Sequence, residues 1–183
     1  MCAFEVTATE VSPVIATERL ILRGPTPADR DAIAGLAADI NVAGQTVAIP
    51  HPYSPDDAEA YVARVMALDW GREAAFAIEH RGFGVVGMLG FQTSAEGRPD
   101  LGYWIGRPYW NRGYATEAVR GALRWVKRDW RRNVVVAGHF ADNPASGQVL
   151  CKAGFLYTGD IERRPSVARG RSDVPTRMMV WLA

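Results

Sequence analysis

Apolar residues recur every three or four positions over Ala115, Ala118, Val119, Ala122 and Val126, while Arg120, Arg124, Lys127 and Arg128 fall off that stripe. This period predicts an amphipathic helix that opens between Asn111 and Ala115 and ends between Asp129 and Arg132. Upstream, Arg19 to Arg23 predicts a strand stopped by Gly24 and Pro25. Thr26, Pro27 and Asp29 then supply an N-cap, a first-position proline and an acidic third residue for a helix whose stripe is Ile33, Leu36, Ala37 and Ile40. Asn41 to Tyr53 has no sustained period and contains Gly44, Pro50 and Pro52, so it reads as a loop. Ser54, Pro55 and Asp57 repeat the cap signature before a second helix with Ala58, Tyr61, Val62, Val65 and Met66 inward.

Ala74 to His80 and Val85 to Phe91 read as two strands of a hairpin, and Asp100 to Gly106 as a third with Leu101, Tyr103 and Ile105 on one face. Asn133 to Phe140 is a buried strand by its apolar run. Asn143 caps the next helix, with Pro144 first, Ser146 third, and Ala145, Val149, Leu150 and Ala153 on its stripe; Gly154 and Phe155 fit its end. Gly159 to Pro175 is basic and irregular and reads as an exposed loop; lining an acceptor groove or contacting a second subunit are its functional readings. Arg177 to Leu182 closes the chain as a strand. Residues up to about Thr17 show no strong period and read as a loose tail. The order of elements is strand, helix, helix, three strands, helix, strand, helix, strand, strand. That order gives an α/β chain with a mixed, largely antiparallel sheet and helices on both faces, and a helical crossover for the one pair of parallel strands.

At 183 residues and 48% apolar content the chain suits one domain with an ample core. A net charge of +1 gives no global pull toward nucleic acid or membrane. No charged, then apolar, leader opens the chain and no apolar run is long enough to span a bilayer, so a cytoplasmic protein is the expectation. Cys2 and Cys151 are too few for a disulfide framework or zinc knuckle, and Cys151 reads as a buried structural thiol. His51, His80 and His139 show no metal-ligand spacing, so no metal is expected. Gly82-Phe83-Gly84-Val85-Val86-Gly87 matches the dinucleotide fingerprint, but those glycines would have to open a helix, and a strand follows them.

The start of the helix near Gly113 carries the chemistry. Its first N–H groups lack intrahelical acceptors, the helix dipole makes that end positive, Gly113 leaves the backbone uncovered and Arg112 adds a charge. The turn Arg112-Gly113-Tyr114-Ala115 after an aromatic-rich strand end resembles the pyrophosphate-binding turn of the GCN5-related N-acetyltransferases (GNAT). Tyr109 to Ala118 is similar, more narrowly, to the branch that acetylates ribosomal-protein N-termini, which has relatives acting on small amines. Trp110 stands where many members carry Gln or Arg. The run from Asn143 to Ser146 and on to Phe155 resembles the family's second acetyl-CoA motif, so two motifs occur in the family's order.

The resemblance implies the acyl-CoA N-acyltransferase fold: about seven strands, helices on both faces, and a central strand pair that splays to admit pantetheine. It implies acetyl-CoA as cofactor, with Ile105, Asn111, Arg112, Gly113, Tyr114, Ala115, Thr116, Asn143 and Ser146 around it. It also implies direct attack by a primary amine in a ternary complex, and Ser146 as the group that protonates the departing thiolate. Read from residue type alone, Ser146 is equally a third-position helix residue with a local hydrogen bond, and Asn143 a cap. Asp100 and His139, at strand ends, are the candidate bases, although Asp100 also suits a turn and His139 a satisfied core position. Glu117 matches the family's helix start, where a carboxylate has a structural reason to be. The segment joining the first two helices borders the acceptor site in the family, which draws attention to His51, Pro52 and Tyr53, each of which also suits a packing turn.

The acceptor is a protein N-terminus or a small amine such as an antibiotic, polyamine or amino acid; an α-amine with a pKa of about 8 attacks far more readily than a lysine at about 10.4. A non-catalytic acetyl-CoA sensor or interaction domain is the reading from another class. Nucleic-acid binding through Arg120, Arg124, Lys127, Arg128, Arg131 and Arg132 is disfavoured by the near-neutral charge. Homodimers are common in the family, though no stretch here demands one.

Overall fold

The computed structural model describes residues 12–183. Eight strands form one sheet: β1 (Ile15–Ala16), β2 (Leu20–Arg23), β3 (Ala74–His80), β4 (Gly84–Thr93), β5 (Pro99–Ile105), β6 (Val134–Phe140), β7 (Leu156–Ser166) and β8 (Arg171–Leu182). Their order is β1-β2-β3-β4-β5-β6-β8-β7, and every neighbouring pair is antiparallel except β5 and β6. The helix α4 (Tyr114–Arg128) makes the crossover between that parallel pair.

Strand alternation sorts the side chains onto two faces. Leu101, Ile105, Phe76, Ile78, Leu89 and Ala137 pack with Ala118, Val119, Ala122 and Val126 of α4 and Leu150 of α5 (Pro144–Ala153). On the other face, Ala77, Val85 and Met88 meet Ile33 and Ala34 of α1 (Arg30–Ala37) and Ala58 and Val62 of α3 (Pro55–Met66), with Trp104 packed against them. Ser54 caps α3 reciprocally: its hydroxyl accepts from Asp57 N–H, and the Asp57 carboxylate accepts from Ser54 N–H at 2.8 Å.

Several expectations need correction. Cys2 and the tail to residue 11 lie outside the described residues, but the tail ends before Thr17, because Ile15 and Ala16 pair with Leu22 and Ile21 as an eighth strand. Ile40 leaves the α1 stripe and is 44% exposed: the Asp39 carboxylate accepts from Asn41 N–H at 2.8 Å and opens a separate short helix, α2 (Ile40–Ala43), inside the segment read as loop. Met66, at the last turn of α3, is exposed rather than inward. Cys151 is exposed rather than buried; on α5 the buried residues are Gly147 and Leu150. Gly159 to Pro175 is not a loop but most of a long hairpin, in which β7 is exposed along nearly its whole length and held by its ladder to β8.

The dinucleotide-like glycines serve the hairpin. Gly84 sits in the turn, and Gly87 lets β4 and β5 approach: a Cβ there would lie 2.2 Å from the Trp104 carbonyl oxygen. No helix among the described residues is long and apolar enough to cross a membrane.

Candidate active site

The site begins where β5 and β6 part. They are paired only at Asp100 with Val136 and Leu101 with Ala137. Gly106 N–H donates to the Val86 carbonyl at 2.8 Å, which makes Gly87 and Ile105 a non-hydrogen-bonded pair of the β4–β5 ladder. The backbone N–H and C=O groups of Tyr103 and Ile105 therefore face away from β4 into the gap. Trp110 reaches back and donates its indole N–H to the Ile105 carbonyl at 2.6 Å. This indole braces the strand end, a use distinct from that of a charged or amide side chain at the same place, and it leaves the Ile105 N–H facing the gap.

Across the gap lies the N-terminus of α4. Gly113 is its N-cap, in the left-handed conformation at φ 78°, and no side chain caps the helix. Asn111, at φ 60°, is also left-handed, so the turn curls its backbone around the helix end. Glu117, in the first turn, points the other way: it accepts from Thr17 Oγ1 at 2.7 Å, Arg19 N–H at 2.8 Å and Arg19 Nε at 2.7 Å. Burial alone would raise its pKa, but these hydrogen bonds and the Arg19 charge hold it below the ordinary value. Glu117 is thus an anchor that fixes α4 on β1 and β2, the structural role its position suggested. Arg19 also donates to the Arg112 carbonyl at 3.0 Å, pinning the turn itself.

The third wall is α5. Asn143 Oδ1 accepts from Ser146 N–H at 3.2 Å, so Asn143 does cap its helix. Tyr103 Oη donates to the Ser146 carbonyl at 3.0 Å and lies 2.9 Å from Ser146 Oγ. Burial pushes the Tyr103 hydroxyl well above its ordinary pKa, so it stays a neutral donor. Sequence reasoning placed Tyr103 only as an apolar strand residue. A tyrosine on the inward face of a strand predicted to splay was the available signal, since a buried phenol needs a partner.

These walls enclose a cleft of about 510 Å³ that gathers Ile105, Asn111, Arg112, Gly113, Tyr114, Ala115, Thr116, Asn143 and Ser146, the whole set expected around the cofactor. Asn41, Val42, Gln45 and Thr46 of α2 and the turn after it close one end, whereas His51, Pro52 and Tyr53 do not line it. Arg112 and Lys152 are its charged residues, and no Asp or Glu lines it.

The two candidate bases do not enter this cleft. Asp100 is on the opposite face of the sheet, one residue before the last paired position at the gap, with Arg164 Nη1 2.9 Å from its carboxylate. Burial raises its pKa against the lowering effect of Arg164. Beyond it, Gly102 has open space where a side chain would stand. His139 is 5% exposed and points behind α5, where it meets Tyr157, so the geometry separates it from the Tyr103–Ser146 pair.

The chain matches the acetyltransferase (GNAT) domain over residues 19–156, and it belongs to that family: it is an N-acetyltransferase. YoaA, an uncharacterised N-acetyltransferase of Bacillus subtilis, is 28% identical over 156 residues, covering 80% of this chain and 85% of its own. Among solved structures, the ribosomal L7/L12 α-N-protein acetyltransferase RimL superposes with a TM-score of 0.80 at 16% identity, covering 93% of this chain and 98% of that one. Spermidine N-acetyltransferase from Vibrio cholerae gives 0.74 at 18% identity, covering 91% and 96%. Acetyl-CoA is the cosubstrate of the family, and the cleft fits it: an uncapped helix end for the pyrophosphate, a strand with free backbone groups for the pantetheine amides, and cations without anions along the wall.

Proposed function

We propose that the acceptor is the α-amine of a protein N-terminus, attacked directly in a ternary complex. The observation that carries this reading is Asp100. It is the titratable carboxylate beside the strand gap, and burial raises its pKa above the ordinary carboxylate value, with Arg164 at 2.9 Å offsetting only part of that rise. Even with its pKa raised, a carboxylate is a weak base beside an amine, so it suits one that is already partly neutral at pH 7, and an α-amine at about 8 meets that need where a side-chain amine at about 10.4 does not.

Bound acetyl-CoA supplies an acyl group as a thioester open to attack. The Ile105 N–H faces the gap where negative charge develops on the acyl oxygen. Asp100 takes the ammonium proton, directly or through water. Ser146 Oγ gives a proton to the departing sulfur and regains one, through water, from the second proton the acceptor nitrogen releases, while Tyr103 Oη, 2.9 Å away with its own proton on the Ser146 carbonyl, holds that hydroxyl in place. Attack is direct, with no acyl-enzyme.

Removing an acid or base typically costs at least about 100-fold in rate. Ser146→Ala should therefore lower kcat about 100-fold while acetyl-CoA affinity by calorimetry stays nearly constant, and Asp100→Asn should do the same for a peptide acceptor. Unchanged turnover in either variant removes that residue from its role.

A further inference from the structure

Behind α5, on the side away from the acetyl-CoA cleft, a second cavity of about 420 Å³ opens between β6, α5, the start of β7 and β8. Its size lies within the range of about 300–1,000 Å³ common to small-ligand sites, and acetyl transfer makes no use of it. Its floor is His139. The ring Nδ1 lies 2.9 Å from the Phe140 carbonyl oxygen, which can only accept, so Nδ1 carries the proton. In the neutral ring Nε2 is then an acceptor, and Tyr157 Oη, 3.0 Å away, donates to it. The imidazole thereby holds the Tyr157 ring edge-on, with centroids 5.8 Å apart, as a half-exposed apolar wall.

The charge of this cavity is one-sided. Lys152 and Arg177 both line it, no Asp or Glu does, and neither cation has an ion-pair partner among the described residues. On the same hairpin Arg169 and Arg171 each have one, and Arg164 has two. We infer that this cavity is a second ligand site that takes a small organic anion, its carboxylate or phosphate group held by Lys152 and Arg177 and its apolar body against Tyr157. Because α5 is the partition, Gln148 and Lys152 line both cavities. An anion that draws Lys152 to its own side removes a cation from the acetyl-CoA cleft. The two sites are therefore antagonistic, and each ligand weakens the other by the same factor.

Cys151 lines the second cavity and is exposed, so it reports occupancy. The full chain is treated with iodoacetamide at constant ionic strength in benzoate, inorganic phosphate or benzamide, and alkylation of Cys151 is timed by peptide mass mapping. At a probe concentration of about twice its Kd, protection should be about threefold, given by benzoate or by phosphate and not by neutral benzamide. Protection by benzoate alone assigns a carboxylate site, and protection by phosphate a phosphate site. Equal rates in all three solutions, or protection by benzamide equal to that by benzoate, overturn the site. In the same solutions acetyl-CoA should bind more weakly by calorimetry, by about twofold to threefold, and unchanged affinity overturns the antagonism. Arg177→Gln should lose the protection with its thermal melt unchanged; the alkylation result depends on neither the acceptor nor the chemistry proposed above.

Discussion

Gly113→Val should weaken acetyl-CoA binding about 5- to 150-fold in calorimetry while leaving a folded protein by circular dichroism. Gly113 is left-handed at φ 78°, and the only atom near a Cβ built there is Arg19 Nη2 at 3.5 Å, so space is not the obstacle. The obstacle is backbone conformation. A β-branched residue in that region costs about 1–3 kcal/mol, a 5- to 150-fold penalty on the turn that aims the N–H groups of Gly113 to Thr116 into the cleft. Its two methyl groups would also stand on the surface left bare for the pyrophosphate. An affinity within threefold of the parent would remove this turn from the binding site.

Arg23→Met should be the most destabilising single change outside the cleft. Arg23 Nη1 and Nη2 each donate to the Asp29 carboxylate at 2.8 Å, and Nε donates to Glu79 at 2.5 Å. Asp29 is 6% exposed and accepts also from Thr26 N–H at 2.7 Å. Removing the guanidinium strands a buried carboxylate, which costs about 3–5 kcal/mol, and in a chain of this size lowers Tm on the order of 10 °C. Adding Asp29→Asn should recover much of that loss, because the uncompensated charge goes with it. The effect has a definite pH dependence. Burial alone would raise the Asp29 pKa, but Arg23 and Thr26 hold it below the ordinary carboxylate value. A depressed folded pKa gives stability that is present above the unfolded value of about 3.9 and is lost as pH falls through the folded one. The gap in Tm between parent and Arg23→Met should therefore be full at pH 6 and narrow below about pH 4. A gap that stays constant would show that packing, not charge, explains the loss.

The parts of this molecule that were legible in the sequence are those where a single element carries its own punctuation. Ser54-Pro55 and Asn143-Pro144 start helices at the expected residue, and α4 buries Ala118, Val119, Ala122 and Val126 along the predicted stripe. The cleft residues followed because they lie at two such helix starts and one strand end. What pattern could not supply was the face each strand residue takes once the sheet is assembled. Asp100 and His139 both stood at strand ends, but the β5–β6 register puts Asp100 across the sheet from Tyr103, and the thickness of α5 puts His139 behind the cleft. The length of β7, which runs on through part of the segment read as a loop, was missed for a related reason. With both faces of its edge exposed, Leu156 to Arg163 has no alternation to read, and the backbone ladder to β8 leaves no trace in side-chain type. The Arg164–Asp100 pair, which joins that hairpin to the strand gap, was invisible until the hairpin existed.

The most direct test of the account is mass spectrometry of transfer from isotopically labelled acetyl-CoA to a mixed panel of free N-terminal peptides, the same peptides with blocked α-amines, polyamines, amino acids and aminoglycosides. The predicted result is label on the free peptides alone, at the α-amine, and none on their blocked counterparts. Label on polyamines or aminoglycosides with none on any peptide, or no labelled product at all, would contradict it.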